Sequence, residues 1–269
     1  MDSAKLPLGL RFVSETPVPG LRVAERRVEQ PLASIICVHG GLDRGGSFAR
    51  LARRSEHFDV IAYDRRGYQG SRDLRPLDLT HHIDDLVALA KVESRRGPVI
   101  LFGHSFGGVI ALGAAIRETE LVDLVITYES PLPWILHRPS SRPPLSSDGA
   151  VEAERFFRRM VSNSAWERLN EREREARRLD GPALISDLTS LHDGPRPFDL
   201  SQLRARFVYL FGDGIIADYY EALCTQLVSL NPNFACRQLD GAPHGAHLSN
   251  PDQLESTIEE IWGELCASR

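Results

Sequence analysis

Short apolar stretches alternate along the chain with longer stretches in which apolar residues recur every three or four positions. The first pattern is typical of strands covered on both faces, and the second of helices that bury one face. The apolar stretches predict strands at 34–38, 58–63, 98–102, 122–128, 207–211 and 234–239. The helical spacing predicts helices at 47–56, 80–95, 106–117, 217–229 and 251–266. With one or two weaker antiparallel strands expected near 10–13 and 21–28, this alternation predicts an α/β fold with a mostly parallel central sheet and flanking helices.

One long region departs from the alternation. Between about residue 133 and residue 200 no convincing strand is predicted, and one group of apolar residues follows helical spacing. The members of this group are Ala153, Phe156, Phe157, Met160 and Val161. We interpret the region as a helical insertion between two strands. This predicts a core domain made of residues 1–132 and 201–269, with residues 133–200 forming a second unit.

A single serine lies in a glycine-rich turn between a predicted strand and a predicted helix. The segment Gly103-His104-Ser105-Phe106-Gly107 fits the pattern G-x-S-x-G in the structural context that a nucleophile elbow requires. Glycine removes the Cβ atom where strand and helix backbones come close together. Ser105 is therefore a candidate nucleophile, and the alternative is a turn residue without chemistry.

A serine hydroxyl is a weak nucleophile that needs a base. His244 lies in a Gly-Ala-Pro turn after the last predicted strand, from which its side chain can project over the sheet edge, so we predict that it is this base. His247 is expected to pack at the start of the closing segment. A metal site built on the two histidines has no third ligand nearby in sequence, so we predict no metal ion. No nucleotide-binding motif is present, and we expect no cofactor.

An acyl-transfer reaction also needs backbone N–H groups that bind the developing oxyanion. The turn Val38-His-Gly-Gly41 follows the first long predicted strand and should end beside the serine turn. Gly41 and Phe106 are the predicted donors, and His39 is expected to be a structural hydrogen-bonding residue.

Four segments carry a resemblance to a known family. They are Val38-His-Gly-Gly41, Tyr63-Asp-Arg-Arg-Gly-Tyr-Gln-Gly-Ser71, Gly103-His-Ser-Phe-Gly-Gly108 and Gly241-Ala-Pro-His244. In this order they resemble the α/β-hydrolase superfamily over nearly the whole chain apart from the insertion. The resemblance implies the α/β-hydrolase fold, a nucleophile at Ser105, a base at His244 and an insertion that forms a helical cap over the site.

The acid that orients the base has two candidate positions. The family's usual place, after the seventh strand, holds Ile215, with Asp213 two residues earlier. The other known place, at the end of the sixth strand, holds Glu129, where a buried carboxylate would need a partner such as His244. The tract resembles haloalkane dehalogenases and zearalenone-lactone hydrolases, although the dehalogenases have an aspartate in place of Ser105. We predict Glu129 as the acid and keep Asp213 as the alternative.

These residues together predict a serine hydrolase that cleaves a carboxylic ester or lactone of a small to medium apolar molecule through an acyl-enzyme. The apolar side chains expected to line its pocket are Leu42, Trp134, Leu136, Phe156, Phe157 and Met160. The same scaffold also supports C–C bond hydrolysis, thioester hydrolysis and perhydrolysis. A small-molecule receptor without catalysis is the alternative outside enzymes.

Composition narrows the partners and the location. The formal charge is −5 and the arginines form no stripe, so nucleic acid is not an expected partner. No apolar window is long enough to span a membrane, and the N-terminus has no apolar leader. Four cysteines without C-x-x-C spacing are expected to be free thiols in a reducing compartment, so we predict a cytoplasmic protein. Whether it forms a homodimer is left open.

Other polar residues receive structural interpretations. The segment Asp64-Arg65-Arg66-Gly67 is expected to fix the turn after the fourth strand. His81 and His82 are expected to face solvent at the start of a helix.

Overall fold

The computed structural model describes residues 9–137, 143–192, 196–214 and 216–268. The first eight residues, Ile215, Arg269 and two short parts of the predicted insertion lie outside these ranges.

The described residues form one eight-stranded sheet. Its spatial order is β1-β2-β4-β3-β5-β6-β7-β8. The strands are β1 Arg11–Phe12, β2 Arg22–Arg26, β3 Ala33–Val38, β4 Phe58–Asp64, β5 Val99–His104, β6 Leu124–Tyr128, β7 Arg206–Gly212 and β8 Phe234–Leu239. β2 runs antiparallel to both β1 and β4, whereas all pairs among β3 to β8 are parallel. The predicted mostly parallel sheet is confirmed, and both places where a weaker antiparallel strand was expected hold one.

Helices cover both faces of the sheet. They are α1 Ala49–Arg54, α2 Leu79–Glu93, α3 Phe106–Arg117, α4 Gly149–Met160, α5 Asn163–Arg168, α6 Glu171–Leu179, α7 Gly181–His192, α8 Ala217–Leu230, α9 Ala246–Ser249 and α10 Pro251–Ala267. Apolar residues of α2, α3 and α8 pack in one core cluster, and those of α1 and α10 pack in a second cluster. Each residue of β3 and β5 is buried, because these strands lie between the two layers. No described helix meets the length and apolarity needed to cross a membrane.

In the described part of the segment between β6 and β7 lie four α-helices, as the break in strand alternation predicts. We call α4 to α7 the helical insertion. Helix α4 packs against α5, α6 and α7. Local capping sets two of their starts: Asp148 accepts N–H bonds at the start of α4, and Asn170 forms a capping box with Glu173 at the start of α6. The division of the chain into a core domain and a separate cap stays a prediction.

The helix predicted at 47–56 is shorter than expected. A 3-10 turn at Gly45–Phe48 precedes α1, and Ser55 leaves the helix with an extended backbone. Periodicity in the apolar residues does not distinguish a 3-10 turn from the first turn of an α-helix.

The expectation of four free thiols is wrong for one pair of cysteines. Cys224 of α8 and Cys236 of β8 form a disulfide, with their Cα atoms 6.0 Å apart. Cys37 is buried and free, and Cys266 is exposed and free. The pair has no sequence motif because its closeness comes from packing of α8 onto β8.

Candidate active site

Ser105 occupies a strained turn between β5 and α3. Its φ of 52° lies in the left-handed region that residues with a side chain seldom adopt. A Cβ atom at Gly103 would lie 2.4 Å from the Gly108 Cα, and one at Gly107 would lie 2.1 Å from the Val38 carbonyl oxygen. The predicted close approach of strand and helix is therefore confirmed, and the turn presents Ser105 with a partly exposed side chain.

Glu129 and His244 meet directly. Glu129 Oε2 lies 2.6 Å from His244 Nδ1, although the two residues are 115 positions apart. Glu129 Oε1 accepts the Gly212 N–H at 3.0 Å, and its Oε2 accepts the Tyr220 hydroxyl at 3.4 Å. The Glu129 side chain is 7% exposed and its φ is 47°, so the end of β6 turns sharply to hold this carboxylate. Tyr220 was not singled out from the sequence, because only the packing of α8 brings it to the acid.

Asp213, the alternative acid, has a different partner. It is exposed, and its Oδ2 accepts the Gly241 N–H at 2.9 Å. That bond holds the start of the turn that leads to His244. The structure thus pairs the His244 ring with Glu129, while Asp213 contacts the backbone of the same loop.

Three consecutive carbonyl groups of the His244 loop accept hydrogen bonds from the side chains of His104 and Tyr128. His104 Nε2 donates to the His244 carbonyl at 2.8 Å, and the Tyr128 hydroxyl lies 3.1 Å from the Ala242 oxygen and 2.9 Å from the Pro243 oxygen. Burial and the neighbouring histidines hold the pKa of His104 well below its usual range, so the ring is neutral. The His104 and His244 rings have their centroids 4.7 Å apart, which brings the His244 ring beside the residue that precedes Ser105.

The two predicted oxyanion donors lie at the same edge of the sheet. Phe106 is the first residue of α3, so its N–H has no acceptor within the helix. Gly41 follows β3, and a Cβ atom at the adjacent Gly40 would lie 3.0 Å from the Ser105 Cβ. The glycine turn after β3 is thus packed against the serine turn.

His39 has the structural role expected from the sequence. The His39 ring is buried. Its Nδ1 donates to the Gly40 carbonyl at 2.7 Å, and its Nε2 accepts the backbone N–H of Arg65 at 2.9 Å. Burial, with a contribution from the Arg65 charge, lowers the pKa of His39 to about 3. A ring with both nitrogens bonded and no charge supports the loop and does not act as a second base.

A buried polar cluster beneath this loop was missed. Arg65 is fully buried and forms an ion pair with Asp187 of α7 at 2.7 Å. His82 is buried against the same carboxylate at 3.1 Å, so the expectation that His82 faces solvent is wrong. A sequence window around His82 shows a polar helix start, whereas its partners come from residues far along the chain.

The predicted pocket residues divide into two groups. Phe156 lies over the glycine turn, because a Cβ atom at Gly41 would be 3.4 Å from its ring. Leu184 of α7, which was not predicted, would be 2.9 Å from the same position. Leu42 adopts a φ of 54° beside Gly41. Phe156 and Leu184 of the helical insertion thus form an apolar cover over the glycine turn after β3.

For the other predicted pocket residues, the lining role stays a prediction, and the structure gives the following contacts. Trp134 and Leu136 pack against the core cluster on the α3 face of the sheet. Phe157 packs within the helical insertion, with its ring centroid 5.4 Å from that of Trp166. Met160 ends α4 and is 42% exposed. Helical spacing identified the apolar face of α4 but did not show which of its members approach the serine turn.

One group of side chains has the composition of a metal site. Donor atoms of Asp43, His104 and His247 lie within 4.8 Å of one another, and this group among the described residues contains only His247 of the histidine pair considered from the sequence. Asp43 Oδ2, however, bonds to His247 Nε2 at 3.1 Å and accepts the Ser47 hydroxyl at 3.1 Å. Although burial opposes it, the His247 bond holds the pKa of Asp43 below its usual range. The Asp43–His247 bond joins the turn after β3 to α9, which follows the His244 loop. His247 is buried, as predicted.

Comparison with known proteins identifies the class. A family model described as the alpha/beta hydrolase family matches residues 35–257, and the chain belongs to this family. It is 34% identical over 108 residues to the uncharacterized hydrolase YraK of Bacillus subtilis, covering 38% of this chain and 39% of that protein. It is 32% identical over 95 residues to lipase LipV of Mycobacterium tuberculosis, covering 35% of this chain and 36% of that protein. The chain thus aligns with less than two fifths of the length of these curated relatives.

The fold is shared with solved structures over almost the full length. A thermophilic esterase from Thermogutta terrifontis superposes with a TM-score of 0.65 at 19% identity, covering 95% of this chain and 98% of that chain. At this identity the likeness concerns the fold alone.

Proposed function

We propose that the protein is a serine hydrolase that cleaves a carboxylic ester or lactone of an apolar molecule. The observation that carries the proposal is the 2.6 Å contact between Glu129 Oε2 and His244 Nδ1, at the sheet edge where Ser105 occupies a strained turn. A buried carboxylate that bonds one imidazole nitrogen leaves the other nitrogen as the site of proton transfer. Membership of the alpha/beta hydrolase family supports the same reaction class.

The proposed reaction has two acyl-transfer steps. Ser105 Oγ attacks the carbonyl carbon while His244 Nε2 takes the hydroxyl proton. The Gly41 and Phe106 N–H groups bind the oxyanion, and Glu129 stabilises the charged imidazole. The tetrahedral intermediate collapses, and His244 returns the proton to the departing alkoxide. Water then attacks the acyl-enzyme by the same steps, which releases the acid and restores the Ser105 hydroxyl.

The contacts of Glu129 fit the role of an orienting acid. Its two oxygens are shared among the Gly212 N–H, the Tyr220 hydroxyl and the His244 ring. The Gly212 N–H and the Tyr220 hydroxyl therefore hold the carboxylate in place independently of the His244 ring. A fixed acceptor on Nδ1 selects the tautomer that carries the Nδ1 proton and leaves a lone pair on Nε2.

The proposed substrate class rests on the apolar cover of the glycine turn. Phe156 and Leu184 of the helical insertion both approach Gly41, so the group nearest the oxyanion donors would meet carbon surfaces. We propose that the helical insertion acts as the cap of the site. The similarity to a protein named as a lipase favours an ester with an apolar acyl chain.

A fluorophosphonate probe followed by an ester panel tests the proposal. We expect mass spectrometry to find the probe on Ser105 of the native protein and not on the Ser105→Ala variant. We expect hydrolysis of p-nitrophenyl esters of increasing chain length, with a preference for apolar acyl groups, and continued turnover after the first equivalent. Labelling with a single turnover would instead indicate a receptor that reacts once. If the fluorophosphonate does not label Ser105 and none of the esters is hydrolysed, the proposal is contradicted.

A further inference from the structure

We propose that Arg65 is a positioning residue that orients the Gly41 N–H toward the oxyanion and couples this orientation to the helical insertion. The inference rests on the proposed function, because it concerns the oxyanion donors of that reaction. It assigns a role to a residue that does not touch the reacting atoms.

The Arg65 side chain donates hydrogen bonds to the backbone of the glycine turn after β3. Its side chain is fully buried below the turn. Nε donates to the His39 carbonyl at 2.9 Å, and Nη2 donates to the Gly40 carbonyl at 3.1 Å. Two consecutive carbonyl groups are thus held by one rigid, planar guanidinium, which presents its donors in a fixed arrangement.

The remaining donors of Arg65 face the helical insertion and α2. Nη2 and Nη1 donate to the two oxygens of Asp187 at 2.7 and 3.1 Å, and Nη1 lies 3.3 Å from His82 Nε2. The Tyr68 hydroxyl donates to Asp187 Oδ2 at 2.7 Å. Each donor atom of the guanidinium therefore has a partner, as a fully buried cation requires.

The planarity of the peptide group connects these contacts to the oxyanion. In a trans peptide the carbonyl of one residue and the N–H of the next point in opposite directions, and the described residues contain no cis peptide bond. The Gly40 oxygen accepts from both Arg65 Nη2 and His39 Nδ1. Because this oxygen is held beneath the turn, the Gly41 N–H is directed to the opposite side.

This peptide needs such a restraint more than most. It joins two glycines, which rotate more freely than residues with a Cβ atom. A rotation of the peptide would turn the Gly41 N–H away and present the Gly40 carbonyl oxygen in its place. A partial negative charge would then face the position where the oxyanion develops, and this would oppose the reaction.

The same contacts link the turn to the cover of the site. Asp187 and Leu184 lie one turn apart on α7, and a Cβ atom at Gly41 would lie 2.9 Å from the Leu184 side chain. Helix α7 thus contacts the Gly41 position directly and holds Arg65 through Asp187. A shift of the helical insertion would act on both contacts together.

Arg65→Lys tests the proposal, with Arg66→Lys as the matched control. Lysine keeps the charge but lacks the fork that reaches two carbonyls and one carboxylate together. Arg66 is the next residue, and its fork binds Asp85 at 2.6 and 2.7 Å. The measurements are kcat and KM on a p-nitrophenyl ester, and the Ki values of an alkyl boronic acid and of the corresponding alcohol. The boronic acid accepts Ser105 Oγ and becomes tetrahedral, so only its complex fills the oxyanion position.

We expect Arg65→Lys to lower kcat by about 10- to 100-fold with KM within about threefold, since removal of an oxyanion donor costs about 10²–10³ in kcat. The Ki of the boronic acid should rise in parallel while the Ki of the alcohol stays constant, and Arg66→Lys should match the native protein. If Arg65→Lys does not fold, Arg65→Met/Asp187→Leu removes both charges together and is measured in its place.

Three outcomes separate the possible failures. Unchanged kcat in a folded Arg65 variant, or equal weakening of boronic acid and alcohol, overturns the positioning role while the proposed function stands. Absence of both labelling and turnover in the native protein overturns the proposed function and this inference with it. A crystal structure of the folded variant that retains the native Gly40–Gly41 peptide orientation also overturns the positioning role.

Discussion

At the scale of single residues, the site depends on positions where the backbone is placed under strain or brought into close contact. Ser105 and Glu129 both adopt positive φ values, of 52° and 47°, at the ends of adjacent strands. Strain of this kind persists only where the surrounding structure determines the conformation. At Ser105 the close contacts around Gly103 and Gly107 provide that determination, because no side chain separates α3 from β5 and β3.

Gly107→Ala should therefore destabilise the protein, whereas Gly46→Ala should not. The new Cβ atom at position 107 would lie 2.1 Å from the Val38 carbonyl oxygen, while nothing lies within 4 Å of the corresponding atom at position 46. Overpacking costs about 1–3 kcal/mol, and a contact with backbone atoms is at the upper end. Urea unfolding of the two variants measures the difference. Equal unfolding free energies would contradict the proposed packing of the elbow.

At the scale of elements, Glu129 and His244, the proposed acid and base, are held by different parts of the chain that meet beside α8. Helix α8 carries Tyr220, which donates to Glu129, and the disulfide ties this helix to β8. Strand β8 leads directly into the loop that carries His244. The cross-link thus joins the element that supports the acid to the strand that precedes the base.

Loss of this disulfide should lower stability. A cross-link that closes a loop of this length contributes roughly 2–3 kcal/mol, mainly by restricting the unfolded chain. The double variant Cys224→Ser/Cys236→Ser should show a lower urea midpoint than the oxidised native protein. A reducing agent should bring the native protein to the same midpoint and leave the double variant unaffected. A native midpoint that does not respond to reduction would argue against a stabilising cross-link.

At the scale of the whole molecule, the sheet brings together residues that the sequence separates. Periodicity was sufficient to predict the strands and flanking helices, because each depends on neighbours within about ten positions. Glu129 was predicted because the pattern places it at the end of β6, and the resemblance to the α/β-hydrolase superfamily gives that place as one of two known positions of the acid. Asp43 with His247, Arg65 with Asp187 and Cys224 with Cys236 were not predicted as pairs. Each of these contacts depends on how elements pack, which local periodicity does not contain.

The proposed assignment of the acid also depends on the whole molecule, because it rests on which strand end reaches the His244 loop. Strand β7 lies between β6 and β8, and Glu129 reaches past the end of β7 to His244, with its Oε1 on the Gly212 N–H. Asp213 lies nearer in sequence to the family's usual position, yet its carboxylate bonds to the Gly241 backbone.

The turnover of Glu129→Gln, compared with that of Asp213→Asn, tests the central claim most directly. Glutamine preserves the shape of the side chain but can present an amide N–H to Nδ1, which favours the wrong imidazole tautomer. We expect kcat of Glu129→Gln on a p-nitrophenyl ester to fall by about 10²–10⁴-fold, by the logic of the Ser-His-Asp triad, with an unchanged unfolding midpoint. Asp213→Asn should stay within about threefold of the native kcat. Native turnover in Glu129→Gln together with a large loss in Asp213→Asn would contradict the assignment of the acid.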